Sequence, residues 1–279
     1  SIEIYKPGRE VDNSYFTEQF DRLNQDIRPF LELMGKKKRY LADPLKDTTV
    51  SIGIEASKKV LASAGLTGED IDMIVFSSQF PEFTVPPQSL FVHQAIAGKA
   101  DTFCTDSNTD CVGSIVAIDM ASRYLLSHHN YKRALIVGAD IATIHINKDD
   151  VNAYPTCGDL ACAIILEKTE DDCGFIDSQF KTNSKYPDII AFPACGASKS
   201  YDFTIEERKM RYNSFDGSFI VKHMKESVDK LLERNGLSIN DVDRFCFTQF
   251  AYPIITGSAE ILGVDLDKFI YVGDKYGYT

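Results

Sequence analysis

A chain of 279 residues with 44% hydrophobic content and a net charge of −11 is long enough for one large core or two fused smaller ones. Its acidity argues against nucleic acid or an anionic membrane as the main partner, and no apolar run reaches the ~18 residues of a membrane span. The opening Ser1-Ile2-Glu3-Ile4 lacks the basic and apolar regions of a signal peptide, and seven cysteines, an odd number, fit a reducing compartment, so the expected location is the cytoplasm.

In chain order, the basic run Lys36-Lys37-Lys38-Arg39 comes first and is expected to be a solvated helix end. Apolar spacing of three and four predicts a helix over 52–64, closed by Gly65 as its C-cap, and the run that follows, to Ser77, predicts a strand. Helices are predicted at 87–96 and 113–127, with a short strand at 102–105 between them. The second helix is apolar on nearly every face, with Asp119 and Arg123 as an i,i+4 charge pair, so it is expected to be buried. The stretches 134–138 and 160–166 are continuous apolar runs of strand length, as expected of strands covered on both faces. A helix over 219–235, closed by Gly236, and a further strand complete the pattern, and strands alternating with helices predict a largely parallel sheet.

The chain also matches itself. Gly65-Leu66-Thr67-Gly68-Glu69-Asp70-Ile71-Asp72 and the strand to Ser77 line up with Gly236-Leu237-Ser238-Ile239-Asn240-Asp241-Val242-Asp243 and the strand to Thr248. The glycine, leucine, both aspartates and a phenylalanine are identical, and a helix of the same type precedes each copy. The expected fold class is therefore α/β, a duplicated α/β unit with two sheets and helices between and outside them. Residues 1–167 form the first half and residues 168–279 the second, whose repeat is expected to be incomplete at Thr279.

Of the seven cysteines, Cys111 alone stands where a buried helix begins, and there unpaired N–H groups and the positive end of the dipole favour a thiolate. Such a sulfur is a good nucleophile toward thioesters. Cys162 and Cys246 lie inside predicted strands, Cys104 and Cys157 border them, and Cys173 and Cys195 sit in connections, positions expected of filler. No Cys-x-x-Cys pair and no suitably spaced histidines occur, so no metal site is expected.

Asp110-Cys111-Val112-Gly113-Ser114, the run from Tyr131 to Asp140 and the run from Cys157 to Glu167 together resemble β-ketoacyl-ACP synthase III, of the thiolase-fold condensing enzymes, from Tyr5-Lys6-Pro7 to Gly277-Tyr278-Thr279. The resemblance implies a thiolase-like fold, a layered αβαβα sandwich. It also implies a Cys-dependent acyltransferase in fatty-acid or polyketide-type biosynthesis, in which Cys111 takes an acyl group from acyl-CoA or acyl-ACP and passes it to a malonyl-ACP-like acceptor. Acyl-CoA is then a substrate and no cofactor is permanently bound; acyl carrier protein and a second copy of the chain, in a homodimer, are the expected partners. The family's neutral donors, a His and an Asn, align with Thr248 and Tyr278, which carry hydroxyls and cannot act as bases near neutral pH. Decarboxylative condensation by the usual route is therefore doubtful, and a non-catalytic partner subunit or a thioester hydrolase stand as alternatives. Asp110 places a negative charge beside the sulfur. Glu82 is a further acid/base candidate because some thiolase-fold relatives use a Glu, whereas His145 and His223 are expected to be structural. The adenine-stacking Trp of bacterial synthases has no counterpart, so the residues that would bind coenzyme A are not identified, and the basic run at 36–39 is left to attract an acidic carrier. Pocket size is expected to depend on the loops at 79–88 and 186–212.

Overall fold

The computed structural model describes every residue except Tyr186 and Ser214. The first half contributes β1 (Ile2–Tyr5), β2 (Arg9–Asp12), α1 (Asn13–Asp21), α2 (Arg28–Met34), β3 (Lys38–Leu41), α3 (Thr49–Ala64), β4 (Met73–Ser77), α4 (Gln88–Ala95), β5 (Phe103–Ser107), α5 (Gly113–Ser127), β6 (Arg133–Asp140) and β7 (Leu160–Glu167). The second contributes β8 (Ile190–Ala191), α6 (Ile205–Arg208), β9 (Arg211–Tyr212), α7 (Phe219–Asn235), α8 (Tyr252–Leu262) and α9 (Gly273–Tyr276). No helix among the described residues is long and apolar enough to cross a membrane.

The self-match extends to hydrogen bonds. α3 and α7 each end on a glycine in the left-handed region, Gly65 and Gly236, both with φ of 66°, which a side chain would strain. Just beyond, Thr67 donates from its backbone N–H and its hydroxyl to Asp70 Oδ2, both at 2.9 Å, and Ser238 donates to Asp241 Oδ2 at 2.8 and 2.7 Å. The second aspartates diverge. Asp72 is buried, accepts the N–H groups of Lys132 and Arg133 at 2.6 and 2.9 Å and pairs with Lys99, whereas Asp243 is exposed.

One five-stranded sheet carries the first half, in the order β1-β7-β6-β4-β5. β4 runs parallel to β5 and β6, as expected, but β7 pairs antiparallel with β6, and β1 antiparallel with β7. The sheet is mixed because the connection at 141–159 contains turns and no helix, so nothing carries the chain back across the sheet for a parallel return. Ile52, Ala56 and Val60 of α3 pack on Ile74, Phe76, Leu135 and Val137 on one face. Ala117, Ala121 and Leu125 of α5 cover Met73, Val75, Ala134 and Ile136 on the other. Burial on both faces is why β4 and β6 read as unbroken apolar runs.

Two expectations change. The second copy's strand is a single parallel bridge, Phe245 to Phe269, in which Phe245 N–H donates to Lys268 O and Ile270 N–H donates to Phe245 O. With a neighbour on one side only it does not extend into a ladder, so beside the two-stranded pairs β2–β3 and β8–β9 no second sheet of more than two strands forms among the described residues. The basic run is not a solvated cluster either. It crosses from the end of α2 into β3, where alternation turns Arg39 inward. Lys36 and Arg39 are 1% and 0% exposed; Lys36 Nζ donates to Gln249 O at 2.5 Å, and Arg39 donates to Asn13 Oδ1 at 2.6 Å with its guanidinium 4.0 Å from the centre of the Phe16 ring. Burial lowers Lys36 to about 8 and Arg39 to about 10. Only Lys37 and Lys38 face solvent.

Candidate active site

α5 begins at the carboxyl ends of β4 and β6, where open α/β sheets place their ligands. Glycines permit the approach: a Cβ on Gly113 would meet Ser77 Oγ at 2.2 Å, and one on Gly138 would meet Ser114 Oγ at 2.6 Å. Cys111 is exposed in the single turn Asp110–Val112 ahead of α5, and no side chain caps that helix. Asp110 holds a φ of 50°, a left-handed conformation that Asp tolerates better than most residues.

Cys111 opens into a cavity of about 170 Å³ lined by both halves of the chain, including Ser78, Gln79, Phe80, Asp140, Asn152 and Cys157 from the first and Met210, Tyr212, Phe250 and Tyr278 from the second. Tyr278 is held by backbone pairing with the segment around Cys157: its N–H donates to Thr156 O and its carbonyl accepts from Gly158 N–H, each at 2.9 Å. Phe250 stands edge-on to the Tyr278 ring at 5.2 Å. Burial, then the charge of the neighbouring Cys111 sulfur and a hydrogen bond to it, hold the Tyr278 proton in place well above the ordinary phenol range. Thr248 Oγ1 lies 3.4 Å from the Tyr278 hydroxyl. Thr248 does not line the cavity, so only one of the two hydroxyls reaches it.

Gln79 supplies a second donor, its Nε2 lying 3.5 Å from Cys111 Sγ. Asp140, at the end of β6, fixes the loop that carries it: Oδ1 accepts from the Ser78 hydroxyl at 2.7 Å and from the N–H groups of Gln79 and Phe80 at 2.9 Å each. Burial pushes the Asp140 carboxyl up to about 6. Burial likewise pushes the Cys157 and Cys162 thiols up to about 12 and about 11, so both remain protonated near neutral pH.

The structure thus brings Cys111, Tyr278 and Thr248 together. It does not bring Glu82 to them: Glu82 is exposed in the loop after Phe80 and does not line the cavity. His145 is sandwiched near Phe80 and Phe192, at 5.3 and 4.4 Å between ring centres, and burial lowers it to about 4, leaving it neutral. His223 sits 5.3 Å from Phe219 on α7. No cluster of His, Cys, Asp or Glu able to hold a metal occurs among the described residues. The sequence alone did not single out Gln79 and Asp140, although Asp140 ends β6 and Gln79 lies two residues beyond β4, at the carboxyl edge of the sheet, a position that could have flagged them.

Comparison with known proteins agrees with this architecture. Residues 105–184 match the family model described as 3-oxoacyl-[acyl-carrier-protein (ACP)] synthase III. The β-ketoacyl-[acyl-carrier-protein] synthase III of Koribacter versatilis is 30% identical over 286 residues, spanning 100% of this chain and 84% of that protein. The crystal structure of the Thermus thermophilus β-ketoacyl-[acyl-carrier-protein] synthase III superimposes with a TM-score of 0.87 at 22% identity, covering 100% of this chain and 84% of the other. The priming β-ketosynthase of the R1128 polyketide biosynthetic pathway superimposes with a TM-score of 0.80 at 20% identity, covering 100% and 82%. The fold is the α/β thiolase-like one.

Proposed function

The chain belongs to the β-ketoacyl-ACP synthase III family, and from that premise we propose that Cys111 is the nucleophile of its acyl transfer and that Tyr278 and Gln79 are the donors that serve it. It is a Cys-dependent condensing acyltransferase of fatty-acid or polyketide biosynthesis. In the first step the Cys111 sulfur attacks the carbonyl carbon of an acyl-CoA; the carbon–sulfur bond to the coenzyme breaks, a new one to Cys111 forms, and the thiol proton leaves on coenzyme A. The observation that carries this reading is the convergence of the Tyr278 hydroxyl and the Gln79 carboxamide on one exposed sulfur ahead of an uncapped helix. Both donors are neutral near pH 7, so they stabilise negative charge on sulfur or oxygen without competing for it.

The second step passes the acyl group to a malonyl carrier-protein thioester, whose decarboxylation develops an enolate. In the position of the family's two neutral donors this chain offers the Tyr278 hydroxyl, backed by Thr248 from outside the cavity. Removing one oxyanion-type donor costs ~10²–10³ in rate, so decarboxylation is slower here by at least that factor than in a synthase with both. The protein works as a homodimer, supported by the free edge of β5 and by Val85, Val112 and Ile115, which are 82%, 56% and 62% exposed.

Intact mass after incubation with short acyl-CoAs tests the reading. An acyl adduct is expected that is absent in Cys111→Ala, and a folded protein that takes no adduct from any donor sinks it. Carbon dioxide release from malonyl-ACP at the rate of an ordinary synthase would refute the assignment of Thr248 and Tyr278.

A further inference from the structure

Beyond the sulfur, one wall of the cavity is apolar, made by Phe80, Ala142, Ile146, Ala153, Ile190 and Met210. Two polar side chains interrupt it. Tyr212 is half-buried and held rigidly: it pairs with Ile190 across the β8–β9 ribbon, and the next residue, Asn213, donates its N–H to Ile189 O at 2.9 Å. Tyr212 lines the cavity, and its hydroxyl makes no hydrogen bond among the described residues. Asn152, also a lining residue, is fixed through its backbone, its N–H donating to Asp150 Oδ1 at 2.9 Å and its carbonyl accepting from Thr156 Oγ1 at 2.7 Å, while its carboxamide is likewise unpaired among the described residues. Burial raises the Tyr212 phenol, with the Cys157 and Cys111 sulfurs among its electrostatic neighbours, so it stays a donor.

A cavity meant only for a hydrocarbon chain gains nothing from such groups, because covering an unpaired hydroxyl or amide with methylenes costs a desolvation that no hydrogen bond offsets. We propose that the acyl group this enzyme prefers is short and carries an oxygen on its chain, a hydroxyl or oxo substituent that accepts hydrogen bonds from the Tyr212 hydroxyl and the Asn152 carboxamide. The size agrees: about 170 Å³ exceeds the ~150 Å³ at which an apolar cavity admits benzene, which leaves room for a four-carbon acyl group. Tyr212 and Asn152 are then the specificity-determining residues. The bond exchange at Cys111 is the one given above, and the substituent takes no part in it. The inference deepens the acyl-transfer reading and rests on it.

The test is the rate of adduct formation at Cys111, read by intact mass, with butyryl-CoA, 3-hydroxybutyryl-CoA and 4-hydroxybutyryl-CoA at equal concentration. At least one hydroxylated donor is expected to acylate roughly tenfold faster than butyryl-CoA, and Tyr212→Phe, which keeps the ring, is expected to erase most of that ratio. Asn152→Leu is an independent second variant and is expected to lower the same ratio. Butyryl-CoA reacting as fast as both hydroxylated donors overturns the inference and leaves the acyl-transfer reading intact, as does a ratio unmoved by both substitutions. No adduct from any of the three overturns both.

Discussion

The sulfur of Cys111 meets a carboxamide and a phenol and no imidazole, so its chemistry is set by hydrogen-bond donors. Gln79→Leu keeps the bulk and deletes one donor; alkylation of Cys111 by iodoacetamide near neutral pH is expected to slow roughly three- to tenfold, the worth of one hydrogen bond, and an unchanged rate would remove Gln79 from the site. Asp140 acts through the loop it holds and has its own pH signature. Its native value of about 6 lies above the ~3.9 of an unfolded Asp, so between about pH 4 and 6 the folded chain keeps a proton that the unfolded chain has lost. The Asp140 contribution to stability therefore falls as pH rises through that window, by up to about 2–3 kcal/mol, and stays lost above it. Asp140→Asn retains the acceptor oxygen and cannot titrate. The stability of the parent minus that of the variant, from urea unfolding, is expected to decline from pH 4 to 7, and a flat difference would show that Asp140 is not shifted. Of these residues Cys111 could be singled out in the sequence by its place at a helix start and Tyr278 through the family resemblance; Gln79 and Asp140 could not, since their link crosses 61 positions of chain.

Among the elements, α3 packs on the sheet through a glycine. A Cβ on Gly53 would come within 2.7 Å of Phe76 Cε2 and 3.2 Å of Val137 Cγ1, both on fully buried side chains. Gly53→Ala raises helix propensity yet forces helix and sheet apart, so a net loss of about 1–3 kcal/mol is expected in thermal or urea unfolding, and a gain would mean that Phe76 can rotate away. The sequence showed this helix and its C-cap, because both depend on spacing and on one glycine. It did not show that β7 returns antiparallel, which depends on the absence of a helix in the 141–159 connection, nor that Lys36 and Arg39 are buried. Four consecutive basic residues look alike on paper, and only the turn from α2 into β3 divides them into two inward and two outward side chains.

For the molecule as a whole, β5 is left with one edge unpaired, and α5 lies against it through the stacked rings of Phe103 and Tyr124, 5.5 Å apart. Pairing with a second copy would cover that edge and the exposed Ile115 on α5. Light scattering is expected to give a dimer that Ile115→Asp converts to monomer, since a charge there would have to be desolvated; a monomeric parent chain at micromolar concentration would refute the dimer. The sequence by itself determined the α/β class, the duplicated helix–glycine–aspartate unit, the cysteine at a helix start and the family, all of which rest on neighbours in the chain. Only the tertiary structure decided that Thr248 stands behind Tyr278, that Glu82 stays in solvent, and that Gln79, Asn152 and Tyr212 share a cavity with Cys111. Periodicity and capping act over a few residues and leave their mark in the order of amino acids, whereas a cavity between two halves is made by contacts whose partners lie a hundred residues apart.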